Sequence, residues 1–209
     1  DLKNMNRTAD LKLSERVILI DVSFLNQTVK VVREVMSARL GRPLPMFDLV
    51  AWLDCLLLDA GIRDFSSAEV QVLLVQGADG DALSVCTPSL LSDLDGKACR
   101  TGLAEYVFGV VPTENLATAE ALYHDLLTLV LNNVSVKQAL LVPATTIDEE
   151  KMNEVTGEVL RERKKNAKEQ EVQVVWFRME ELTLPSICQW CLVVPSLAYV
   201  LGIREEELN

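Results

Sequence analysis

The most regular hydrophobic stretch of the chain is Val17-Ile18-Leu19-Ile20, four consecutive apolar positions ended by the carboxylate of Asp21. An apolar run without alternation is what a strand buried on both faces requires, so residues 17–22 are predicted as the first strand. Val29, Val32, Met36 and Leu40 then recur at helical spacing, and Gly41 supplies a stop. Pro43 and Pro45 punctuate the chain before a second predicted helix, 46–60, closed by Gly61. Its face of Leu49, Val50, Trp52, Leu53, Leu56 and Leu57 is broad enough to be mostly buried. Residues 70–75, 106–111, 138–142 and 172–177 read as further strands. Between them lie a helix at 116–132, with a stripe of Leu116, Ala119, Leu122, Tyr123, Leu126 and Val130, and another at 146–169. The second of these opens on Thr146 and Glu149 at the spacing of a capping box. The tail suggests an apolar helix at 186–193, interrupted by Pro195 and resuming to Leu201.

Strands alternating with helices predict an α/β domain, because parallel strands need crossovers. The expected architecture is a three-layer αβα sandwich around a mostly parallel, roughly five-stranded sheet. Residues 1–15 read as a polar lead-in and 16–209 as a single domain. A long loop or hairpin insertion falls near 77–104, where Gly, Asp, Ser and Pro dissolve the periodicity and residues 82–87 offer one hairpin arm.

Composition narrows the classes. Hydrophobic residues make up 49% of the 209 and mean hydropathy is +0.19, enough apolar surface to exclude a disordered chain. The net charge of −11, from 31 acidic and 20 basic residues, repels nucleic-acid backbones unless the basic residues share one face. No apolar run reaches the roughly 18 residues of a membrane helix, and the polar residues Asp1, Lys3, Arg7 and Asp10 form no signal-type apolar segment. Five cysteines at irregular spacing fit a reducing compartment, so a cytoplasmic location is expected.

Asp21 is the first candidate for chemistry. Open α/β sheets place their sites outside the carboxyl ends of the strands, and 137–150 is a second strand-to-helix switch of the same layout. A carboxylate in Asp21's position also has a structural use, capping the next helix through its backbone N–H groups, and Ser23 is placed to do the same. Cys188-x-x-Cys191 has thiolate-chemistry spacing but apolar neighbours, which makes the pair buried, inert thiols. His124 stands next to Asp125, and adjacent helix positions point in different directions, which leaves His124 on a solvated surface. Asp93-Leu94-Asp95-Gly96 has the start of a calcium loop but Ala104 at its twelfth position. Phosphate-loop, dinucleotide and nucleophile-elbow motifs are absent from the sequence.

The run Ile18-Leu19-Ile20-Asp21-Val22-Ser23-Phe24-Leu25 resembles the opening of PIN-like nucleases, and within them the NYN branch: an apolar strand into Asp, then Ser or Thr, then an apolar residue and Leu. The unit from 106 to 142, with Glu120 and Asp125 on its helix, resembles the family's acid-bearing strand–helix–strand segment. The resemblance implies a Rossmann-like fold and a Mg²⁺ or Mn²⁺ ion that activates water against an RNA phosphodiester. It implies Asp21, Asp125 and Asp148 as catalytic metal ligands and Ser23 as their orienter. Arg161, Arg163, Lys164, Lys165 and Lys168 would then receive phosphates. The chain departs from the family where a Gly-Asp-x-Asp turn is expected: it reads Pro143-Ala144-Thr145-Thr146-Ile147-Asp148, and Asn26 is displaced from the usual Asn position. That departure favours a degenerate domain without cofactor, working as a protein-interaction or self-associating module. Its apolar tail, with Trp190 and Tyr199, would supply the contact. The alternative is a metal-dependent ribonuclease centred on Asp21.

Overall fold

The computed structural model describes residues 12–64, 69–113, 118–143, 148–166 and 171–209; the segment 1–11 of the lead-in lies outside them. Strand β1 (Arg16–Asp21) is buried from Val17 onward, and Val17 to Ile20 are wholly inaccessible. It pairs in parallel with β3 (Glu69–Val75) on one side and β7 (Gln138–Val142) on the other. Strand β6 (Glu105–Val111) lies parallel outside β3, and β8 (Gln173–Arg178) parallel outside β7. These five strands match the apolar runs.

The sheet is wider than the roughly five strands expected. An antiparallel strand β5 (Ala98–Arg100) adds to β6, and a parallel strand β9 (Gln189–Leu192) adds to β8. The order is β5-β6-β3-β1-β7-β8-β9, and a separate parallel pair joins β2 (Phe47–Asp48) to β4 (Cys86–Thr87). Strand β9 replaces the helix expected at 186–193: a short apolar run satisfies either form, and here its backbone completes the edge of β8. Pro195 interrupts nothing. It stands in the first turn of α5 (Val194–Val200), where a missing N–H has no helical partner to lose.

Helices α1 (Val22–Leu40) and α2 (Leu49–Asp59) cover one face, and α3 (Ala119–Asn132) and α4 (Glu149–Asn166) the other. Alternation along β1 assigns its side chains: Ile18 and Ile20 pack with Phe24, Trp52 and Leu53, whereas Val17 and Leu19 pack with Tyr123, Leu127 and Met152. Gly41 ends α1 in the left-handed region at φ 65, the stop its position predicts. The insertion between β3 and β6 is ordered rather than loose. It buries Leu83, Cys86, Leu91 and Leu94 in the α1–α2 layer. The hairpin expected at 82–87 reduces to one antiparallel bridge, Ala82 to Leu90, while Cys86 and Thr87 pair with β2; the true hairpin is β5–β6.

Helix α5 closes the α1–α2 face through a polar contact inside the core. Trp52 Nε1 donates to Ser196 Oγ at 3.0 Å, and Ser196 Oγ donates to the Val193 carbonyl at 2.8 Å. Both side chains are buried. Ser196→Ala leaves the indole N–H without an acceptor and is expected to cost about 2 kcal/mol. Adding Trp52→Phe should cost less than the sum of the two single changes, because the donor is removed with its acceptor; urea unfolding of the two single variants and the double variant measures the coupling.

Candidate functional site

The strands leaving β1 run in opposite directions across the sheet, β3 and β6 to one side and β7, β8 and β9 to the other. The direction reverses between β1 and β7, and the crevice outside their carboxyl ends is where open α/β sheets hold ligands. Asp21 stands at that point. Residues 144–147, which follow β7 and include Thr146, lie outside the described residues.

Asp21 is 1% exposed, and its Oδ1 accepts the N–H of Ser23 at 2.9 Å and of Phe24 at 3.3 Å. The capping use is therefore realised: Asp21 is the N-cap of α1. Burial raises its pKa above the ordinary carboxylate value; the two backbone N–H groups pull it back, and the charge of Glu120 raises it further. Tyr123, wholly buried on α3, donates to the Leu19 carbonyl at 2.9 Å and fixes that helix over β1. Burial, and then the Asp21 charge, hold this phenol neutral far above its usual range.

Ser23 does not share the capping. Its hydroxyl lies against Gly77, where a Cβ would overlap Ser23 Oγ, so the chain leaving β3 passes directly over the start of α1. Asn26, 2% exposed, is the side chain the sequence pattern undervalued. Its Nδ2 donates to Asp79 Oδ2 at 3.2 Å and to the Ala82 carbonyl at 2.9 Å, and its Oδ1 accepts the Ser84 N–H at 2.9 Å. Asn26 staples the insertion to α1. No local signal in the sequence marks it, because its burial depends on which face of α1 meets the sheet.

The other acids lie elsewhere. Asp125 is 71% exposed, with His124 Nδ1 at 3.8 Å, beyond hydrogen-bond reach. Glu120, not Asp125, is the α3 acid whose charge reaches Asp21. His124 is half-buried rather than solvated, and its Nε2 is enclosed without a hydrogen-bond partner among the described residues. Asp148 caps α4 by accepting the Lys151 N–H at 2.7 Å. The capping-box partner Thr146 lies outside the described residues; Glu149 accepts from Thr183 N, Thr183 Oγ1 and Leu184 N and pairs with Arg178 Nη2 at 3.2 Å. Among the described residues no group of three or more His, Cys, Asp or Glu side chains is placed to hold a metal ion. Asp21, Asp125 and Asp148 therefore do not converge there.

The proposed phosphate receivers divide as well. Arg163 is buried and donates to the carbonyls of Leu131 at 3.0 Å and Val136 at 2.7 Å, bracing α4 against the turn before β7. That turn is at the amino-terminal edge of the sheet, opposite Asp21. Lys165 pairs with Glu162 at 3.8 Å; Arg161 and Lys164 are exposed; Lys168 lies outside the described residues. A groove of about 1090 Å³ opens at this edge, bordered by Ser14, Arg16, Glu69, Gln138 and Gln173, and none of the expected acidic ligands lines it.

The thiols expected to be buried are half-buried, and the aromatic tail divides. Cys188 and Cys191 project to opposite faces, one packed in each layer, so they cannot bind or bridge as a pair. Burial raises both thiols, Cys191 to about 11. Trp190, in register with Trp176, lies on the α3–α4 face, whereas Tyr199 belongs to α5 on the other, so they form no common aromatic patch.

Fold and site together define an α/β domain with a largely parallel sheet and a helix-capping carboxylate at its switch point. The chain belongs to a family of unknown function, DUF6621, which matches residues 10–208. No curated protein and no solved structure matches it. No helix among the described residues is long and apolar enough to cross a membrane.

Two outcomes test these assignments. Asn caps as well as Asp, so Asp21→Asn should keep α1 while removing a buried charge. A carboxyl raised by folding binds its proton more tightly in the native state, so stability falls as pH rises from its unfolded value of 3.8 through its folded pKa. Asp21→Asn should thus be at least as stable as the parent at pH 7, with the advantage shrinking toward pH 4; Asp21→Ala should lie about 1 kcal/mol below Asp21→Asn for want of a cap. Thermal unfolding across pH 4–8 reads both. Arg163→Met should cost about 2 kcal/mol by orphaning two buried carbonyls, while Lys164→Gln should change urea stability by less than about 0.5 kcal/mol.

Proposed function

We propose that the chain is a PIN/NYN-like α/β domain whose nuclease chemistry is lost and which works as a protein-interaction module, self-association included. The observation carrying this reading is the commitment of Asp21. The residue that would anchor the ion is enclosed and accepts two helix N–H groups through one oxygen, while Asp125 stands exposed and Asp148 caps α4. Five free cysteines suit the reducing interior of a cell, where we place the protein. RNA is disfavoured as a partner by the charge of −11 and by the structural use of Arg163.

One observation favours a second reading, a Mg²⁺- or Mn²⁺-dependent ribonuclease centred on Asp21. The Glu120 charge raises the Asp21 pKa, and a divalent cation between the two would relieve that repulsion. The two readings part at the bench. With millimolar Mn²⁺, the melting temperature should stay within about 1 °C of the metal-free value. A bound ion at a hundredfold excess over its dissociation constant would instead add about 2.7 kcal/mol. Single-stranded RNA should remain intact. Metal-dependent cleavage that disappears in both Asp21→Asn and Glu120→Gln would establish the nuclease and end the non-catalytic reading.

A further inference from the structure

We draw no further inference here: the strongest candidate, the uncharged edge strand β9 with Trp190 and Ile187 exposed beside it, carries nothing, because nothing in the structure shows what covers it.

Discussion

A strand with no exposed face must be covered twice, and β1 is such a strand. Val17 through Ile20 are wholly inaccessible, so neither side of the central strand tolerates water. Burying four aliphatic side chains contributes about 1.5–3 kcal/mol each, and the gain exists only if helices stand on both faces. The rest of the topology meets that demand. Right-handed crossovers that travel in opposite directions from a central strand place their helices on opposite faces. The path from β1 to β3 and β6 puts α1, α2 and the insertion on one side. The path from β6 back to β7 and on to β8 puts α3 and α4 on the other. Even the short turn from β8 to β9 obeys the rule, with Leu182 and Cys188 packing in the α3–α4 layer.

The same constraint explains why the carboxyl end of β1 is both the chemical candidate and a structural joint. Buried strands leave their first polar residue at the boundary, and the next helix begins with N–H groups that need acceptors. Asp21 answers that need at the cost of enclosing a charge, a compromise visible in its raised pKa. Asn26 and Gly77 then bring the insertion down over the same point, one by three hydrogen bonds and the other by having no side chain. A carboxylate shielded in this way is poorly placed to exchange ligands, and that is the physical basis for reading the domain as silent.

What the sequence made legible was whatever depends on periodicity. The five parallel strands, the four long helices and the stop at Gly41 all follow from runs and spacings that tertiary context does not override. Tertiary partners decide the remainder. Residues 189–192 form a strand only because β8 offers an edge, and the two-residue pair β2–β4 exists only through contact between segments far apart in sequence. The site divides in the same way. Asp21 was visible because a strand end is a local signal. Asn26, and the division of roles between Glu120 and Asp125, were not, since both depend on which helix face meets β1. Arg163 looked like one of five clustered cations, and only its burial separates it from Arg161, Lys164 and Lys165.

The ends of the sheet carry polarity of different kinds, which bears on where a partner can act. At the amino-terminal edge the side chains satisfy one another in sequence. Arg16 Nε donates to Gln138, Gln138 Nε2 to Gln173 at 3.0 Å, and Gln173 Nε2 to Gln189 at 3.0 Å, a chain across four neighbouring strands. The Arg16 donor orients each amide after it, so the row is locked from β1 to the foot of β9. That lock fixes the register of β9 on β8 without charging it. An edge strand held rigid by neutral amides, rather than guarded by Lys or Glu, keeps its outward backbone groups both ordered and approachable. Ordering lowers the entropy lost when any strand pairs with it. The row that stabilises the sheet from one end therefore also orders its far edge, while at the opposite end Asp21 is enclosed.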